Sequence, residues 1–251
     1  MVRYMLPFII TFLAGCSTMI GYLFVYLKDY TNRVLVGSLG FASGVMLLIS
    51  IYDLIPASFS LISGTYYIIP SFLLVALFVV IGVTFSMMID KYLPDNATYQ
   101  NKGLYRVGII SMIAIVLHNI PEGIATFLTS NHNLSLGITL AIALALHNIP
   151  EGISVAIPIY YSTGSRKKAF IYTLVSGMSE FLGAIIASIF FSWLSSDLFM
   201  GCLYSIIAGI MIHISIYELL PASFKFSKPK LTMTLFIVGF IFMYISCLLL
   251  K

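Results

Sequence analysis

Long apolar stretches separated by brief polar breaks fill the chain. Eight of them reach the roughly 20 residues that a helix needs to cross about 30 Å of hydrocarbon: about 5–27, 34–54, 66–89, 104–128, 134–157, 168–192, 198–219 and 231–250. None alternates apolar and polar positions over about 10 residues, as the strands of a membrane barrel do. The pattern therefore predicts an all-α fold, a polytopic membrane protein of eight transmembrane helices. The longest break, Asp90 to Gly103, carries Asp90, Lys91, Pro94, Asp95, Asn96 and Lys102, which is loop chemistry. Without any low-complexity linker, residues 1–251 read as a single transmembrane domain. The first run is long enough to span and is not followed by a small-residue cleavage site, so it is expected as a retained helix.

Composition narrows the class. The 251 residues are 60% hydrophobic and 9% charged, with a mean hydropathy of +1.05. Soluble domains carry about 25% charged residues, so this chain cannot wet the surface of a soluble enzyme of its size. Disorder is excluded by the same hydrophobicity. Cys16, Cys202 and Cys247 all fall within apolar runs and form no CxxC, so neither a disulfide framework nor a thiolate metal knot is expected.

The basic residues are distributed by side. Lys28, Arg33, Lys91, Lys102, Arg106, Arg166, Lys167, Lys168, Lys225, Lys228 and Lys230 share one side, against Arg3 and Lys251 on the other. An excess of Lys and Arg marks the cytoplasmic side, so both termini are expected on the non-cytoplasmic side of a cell membrane. Because these charges alternate with spans, no nucleic-acid partner is expected.

Two repeats organise the chain. Ser43–Phe59 (SGVMLLISIYDLIPASF) recurs 165 residues later as Ala208–Phe224 (AGIMIHISIYELLPASF), with eleven of seventeen positions identical. Helices 2 and 7 cross in opposite directions, and TFLAGCSTMIG of helix 1 weakly echoes TLVSGMSEFLG of helix 6. Inverted three-helix repeats, helices 1–3 and 6–8 around helices 4–5, are thus expected. Many secondary transporters are built this way, with a site near the midplane. The second repeat is HNIPEGI, at His118–Ile124 and His147–Ile153, near the middle of helices 4 and 5.

This motif carries chemistry. His and Glu at i and i+4 share one helix face, and the Asn between them offers a neutral oxygen. Pro removes one backbone hydrogen bond, freeing the carbonyls of Leu117 and Leu146, and the following Gly permits close helix approach. Two facing copies present His118, Asn119, Glu122, His147, Asn148 and Glu151 to one point. A mixed nitrogen and oxygen set suits zinc, iron, manganese or cobalt. Each mid-membrane carboxylate is unfavourable by roughly 3 kcal/mol on insertion scales, and Glu122, Glu151 and Glu180 have no Lys or Arg at their depth. A bound cation or protonation must compensate them; the bland alternative is a polar packing cluster of protonated glutamates.

Other positions stay open. Asp53 and Glu218 match across the repeat near the predicted helix C-termini, where the macrodipole disfavours an anion; they are acids at the mouths of a pathway or interfacial residues in headgroup water. His213, in place of Leu48, is an accessory metal or proton site or a packing histidine. Met46 and Met211 touch a soft metal in transit or simply pack. His132 reads as loop. Ser179 and Thr18 line a cavity or are small contact residues.

HNIPEG on the fourth and fifth of eight helices resembles the ZIP (Zrt-, Irt-like) family of divalent metal transporters. SGMSEFLGA, with Glu180, is similar to the helix-6 motif of its bacterial-type zinc-uptake branch. The resemblance implies a binuclear or adaptable metal centre, with ligand roles for His118, Asn119, Glu122, His147, Asn148, Glu151 and Glu180. It also implies a bundle of helices 1, 4, 5 and 6 moving against a scaffold of helices 2, 3, 7 and 8, often in a homodimer. The His-rich loop of many eukaryotic members has no counterpart in residues 90–103. The expected function is a carrier importing divalent metal, zinc first, with iron, manganese, cobalt or cadmium as further substrates. A metal-selective channel and an intramembrane metalloenzyme are the alternatives. An enzyme is disfavoured by the absence of HExxH, and no organic cofactor is expected.

Overall fold

The computed structural model describes residues 2–27, 32–92, 102–190, 196–226 and 228–250. Eight helices within them are long and apolar enough to cross a membrane, and no strand occurs among the described residues. Helix α1 spans Val2–Tyr22 and ends in a tight turn, Leu23–Tyr26. Helix α2 runs Arg33–Leu48, widens into a π turn at Ile49–Leu54 and continues as Ile55–Ser63. Then follow α3 (Ile68–Tyr92), α4 (Lys102–His132), α5 (Leu134–Thr163) and α6 (Arg166–Ile189). Helix α7 repeats the form of α2, with Asp197–His213, a π turn at Ile214–Leu219 and Leu220–Phe224. Helix α8 spans Pro229–Leu250. Pro94, Asp95 and Asn96 of the predicted loop, and the basic residues Lys28 and Lys251, lie outside the described residues.

Several helices outrun their predicted ends, with two corrections. Asp53 and Glu218 are not near helix C-termini: each lies in a π turn with helix continuing to Ser63 or Phe224. The macrodipole fades within the last turn, so it does not decide their energetics. The helix survives the following proline because the wide turn redirects its bonds. Ile55 N–H reaches back five residues to Ser50 and Leu220 N–H to Ser215, before Pro56 and Pro221 remove a donor. His132 is the last residue of α4 rather than loop.

Tight links follow from capping. A single residue, Asn133, joins α4 to α5; its side chain accepts from the N–H groups of Ser135 and Leu136. Gly164, at φ 65°, stops α5 in the left-handed conformation that glycine favours. Ser165 then caps α6 by accepting from Lys168 N–H.

Two four-helix groups result. In one, α1, α4, α5 and α6 pack on one another; in the other, α2 packs on α8 and on α7, and α7 on α3. Their seam runs chiefly between α2 and α5. The main apolar core fills that seam, with Leu39, Met46, Ile49, Ile157, Ile159, Met211 and Ile214 all buried. Helices α3 and α8 are the least buried spans, as helices facing hydrocarbon must be.

Contacts come in matched pairs. Ser58 Oγ of α2 donates to the Gly201 carbonyl of α7 at 2.6 Å, and Ser223 Oγ of α7 to the Val36 carbonyl of α2 at 2.8 Å. Both members of each pair stand 165 residues from their counterparts. The Phe236 carbonyl lies 2.1 Å from where a Cβ on Gly44 would sit, and the Val79 carbonyl stands equally close to Gly209. Such approaches let backbones pack directly, the usual basis of helix association in lipid.

Candidate metal centre

The HNIPEGI segments lie inside α4 and α5, and the helix runs on through Pro121 and Pro150. One turn separates His118 from Glu122, and His147 from Glu151, so each pair projects from one helix face. His118 is 1% exposed, His147 4%, Glu122 5% and Glu151 0%. Among the described residues, their ion pairs are with one another and none is with Lys or Arg.

The four side chains converge. Glu122 Oε1 lies 3.0 Å from Nε2 of both His118 and His147. Glu151 Oε1 lies 3.4 Å from His118 Nε2. One ligand atom each from His118, His147 and Glu151 fall within 4.8 Å of one another. An ion with bonds of about 2.0–2.1 Å spaces tetrahedral ligand atoms about 3.4 Å apart, which is the scale of these separations. Hydrogen bonding absorbs only part of the polarity. His147 bonds Glu122 at 3.0 Å, whereas His118 Nε2, equally near Glu122, lacks the alignment of a hydrogen bond. Glu122 Oε2 and both Glu151 oxygens have no hydrogen-bond partner.

The asparagines are held from behind. Asn119 Nδ2 donates to the Ser176 carbonyl of α6, and Asn148 Nδ2 to the Ala14 carbonyl of α1, each at 3.0 Å. Each Oδ1 is left buried without a hydrogen-bond partner. Asn148 also donates to Glu180 Oε2 at 2.8 Å, which ties Glu180 of α6 to the cluster; its Oε1 is unbonded. The position on α1 that the weak sequence echo aligns with Glu180 is Thr18, which is uncharged.

Backbone proximity sets this geometry. A Cβ on Gly123 would meet the Glu180 carbonyl at 1.8 Å, and one on Gly152 the Thr18 carbonyl at 1.9 Å. The cluster lies between the main core and a smaller apolar cluster of Ile124, Phe127, Ala184, Ala187 and Met200. It is therefore enclosed.

A family model described as "ZIP Zinc transporter" matches residues 94–246. The chain belongs to the ZIP family. Similar curated ZIP proteins carry the name "Zinc transporter ZupT". That of Clostridium perfringens is 36% identical over 98% of this chain and 96% of its own length. That of Streptococcus mutans is 38% identical over 96% of both chains. That of Escherichia fergusonii is 41% identical over 86% of this chain and 85% of its own.

Around this cluster of the ZIP chain, the remaining candidates separate. Buried His213 shares a 2.9 Å hydrogen bond between Nδ1 and Ser86 Oγ and stacks on Tyr217, away from the cluster. Met46 and Met211 are buried in the main core. His132 lines an open cavity of about 380 Å³ with Asn133, Asp197 and Tyr204. Ser179 spends its hydroxyl on the Ser176 carbonyl rather than on a cavity. Its counterpart Ser17 bonds the Ala14 carbonyl at 2.6 Å and was not singled out from sequence. The matching LAGCS and VSGMS strings were the available signal.

Proposed function

We propose that this protein is a carrier that moves divalent metal, zinc first, toward the cytoplasm. His118, Glu122, His147 and Glu151 form the primary site, with Asn119, Asn148 and Glu180 beside it. The supporting observation is the excess of buried acceptor atoms without a cation at their depth. A divalent ion satisfies them and cancels two carboxylate charges, which hydrocarbon otherwise disfavours. Enclosure between two apolar clusters favours a carrier that releases its ion by rearrangement over an open channel. Zinc uptake into proteoliposomes tests this: it should saturate, and iron, manganese, cobalt and cadmium should compete in a fixed order. Non-saturating flux at channel rates would overturn the reading.

Glu180 is assigned to a second position that tunes selectivity. Two glutamates already neutralise one divalent ion, and Glu180 is hydrogen-bonded to the cluster through Asn148. Glu180→Gln should retain transport of at least one metal while changing the competition order severalfold. A profile identical to the parent's would remove Glu180 from the site.

Orientation follows the basic side. In a cysteine-free background, cysteines at exposed Thr65 and His132 should react with an impermeant reagent from outside, and one at exposed Lys167 only after permeabilisation. Reversed labelling would invert the transport direction.

A further inference from the structure

Where the two four-helix groups meet at their basic end, two cavities adjoin. One, about 300 Å³, is lined by Phe24, Phe41, Ile153 and Leu235, with Arg33 at its edge. These four residues come from the turn after α1 and from α2, α5 and α8, so the cavity belongs to the seam rather than to either group. It is about twice the ~150 Å³ that lodges a benzene molecule in an apolar cavity. The other, about 620 Å³, is lined by Arg33, Lys228, Pro229, Lys230 and Leu231. Arg33 opens α2 and Pro229 opens α8, so these cations sit where spans begin, at headgroup depth. Arg33 lines both cavities.

We propose that this paired cavity binds an anionic phospholipid, with its phosphate on Arg33, Lys228 and Lys230 and one acyl chain in the apolar chamber. Basic pockets between transmembrane helices take such headgroups. The joined shape decides the occupant. A soluble anion leaves the apolar chamber unfilled, and a zwitterionic lipid brings no net charge to three cations. A chain lodged here touches Phe24 and Ile153 on one side and Phe41 and Leu235 on the other. The lipid thus adjusts the seam that any movement of one group against the other must shear.

Native mass spectrometry of the full-length protein in detergent tests the site. Dioleoylphosphatidylglycerol should bind saturably and about a hundredfold more tightly than dioleoylphosphatidylcholine, since each of the three cations near a headgroup contributes about one kcal/mol. Dihexanoylphosphatidylglycerol should bind at least severalfold more weakly than the dioleoyl lipid, and inorganic phosphate should not displace the latter. Combining Arg33→Gln, Lys228→Gln and Lys230→Gln should erase the preference for the anionic lipid. Arg33 and Lys230 are exposed and Lys228 half-buried, so the triple variant should fold. Equal binding of the two dioleoyl lipids, displacement by phosphate, no chain-length dependence, or a preference that survives the triple variant would each overturn the proposal.

Discussion

Glu151→Gln is expected to reduce saturable zinc uptake to the background of protein-free liposomes while leaving expression and dispersity unchanged. Glutamine keeps the shape of the side chain and removes one of the two charges assigned to a divalent ion. Both Glu151 oxygens lack hydrogen-bond partners, so the change breaks no hydrogen bond. The metal-free protein should melt close to the parent, because removing a buried charge offsets the loss of its 3.4 Å approach to His118. Zinc at a hundred times its dissociation constant raises stability by about 2.7 kcal/mol, and this thermal shift should disappear in the variant. His118→Ala should abolish uptake similarly. A variant that keeps both the zinc-dependent shift and transport would remove Glu151 from the primary site.

Gly152→Ala is expected to abolish uptake by a different route. Its Cβ would lie 1.9 Å from the Thr18 carbonyl, so α5 must move off α1 by more than an ångström to reach ordinary contact. Overpacking of this kind costs about 1–3 kcal/mol. The movement also draws Asn148 from the Ala14 carbonyl and displaces Glu151 beside it. Gly123→Ala should act alike against the Glu180 carbonyl. Gly64→Ala is the control, since its Cβ would meet nothing nearer than 3.5 Å. Lowered melting temperatures and lost uptake in the first two variants, with parental values in the third, form the expected pattern. Parental behaviour of Gly152→Ala would show that this close approach does not hold the site.

Span length and the duplicated HNIPEGI made the helices and candidate site legible, because hydrocarbon permits few backbone solutions and penalises carboxylates without partners. Depth along a helix was less legible. Asp53 and Glu218 stand close to predicted termini because the apolar runs end at about 54 and 219, but hydropathy carries no mark of a π turn. The supports of Asn119 and Asn148 were hidden for another reason. They are backbone carbonyls, at Ser176 and Ala14, and any side chain brings one. Only helix packing selects which carbonyl faces the site.

The wide turns in α2 and α7 also bear on which length changes the spans can absorb. A single-turn π bulge holds one residue more than the α-helical path between the same ends. Deleting one residue elsewhere in α2 turns everything beyond it by about 100° about the axis, swinging Ser58 away from the Gly201 carbonyl. Deleting one within ISIYDL instead takes up that slack and leaves Ser58 in phase. The same holds for ISIYEL and Ser223. Each of these two helices thus contains an expansion joint, the one stretch where its length can change without rotating its far end.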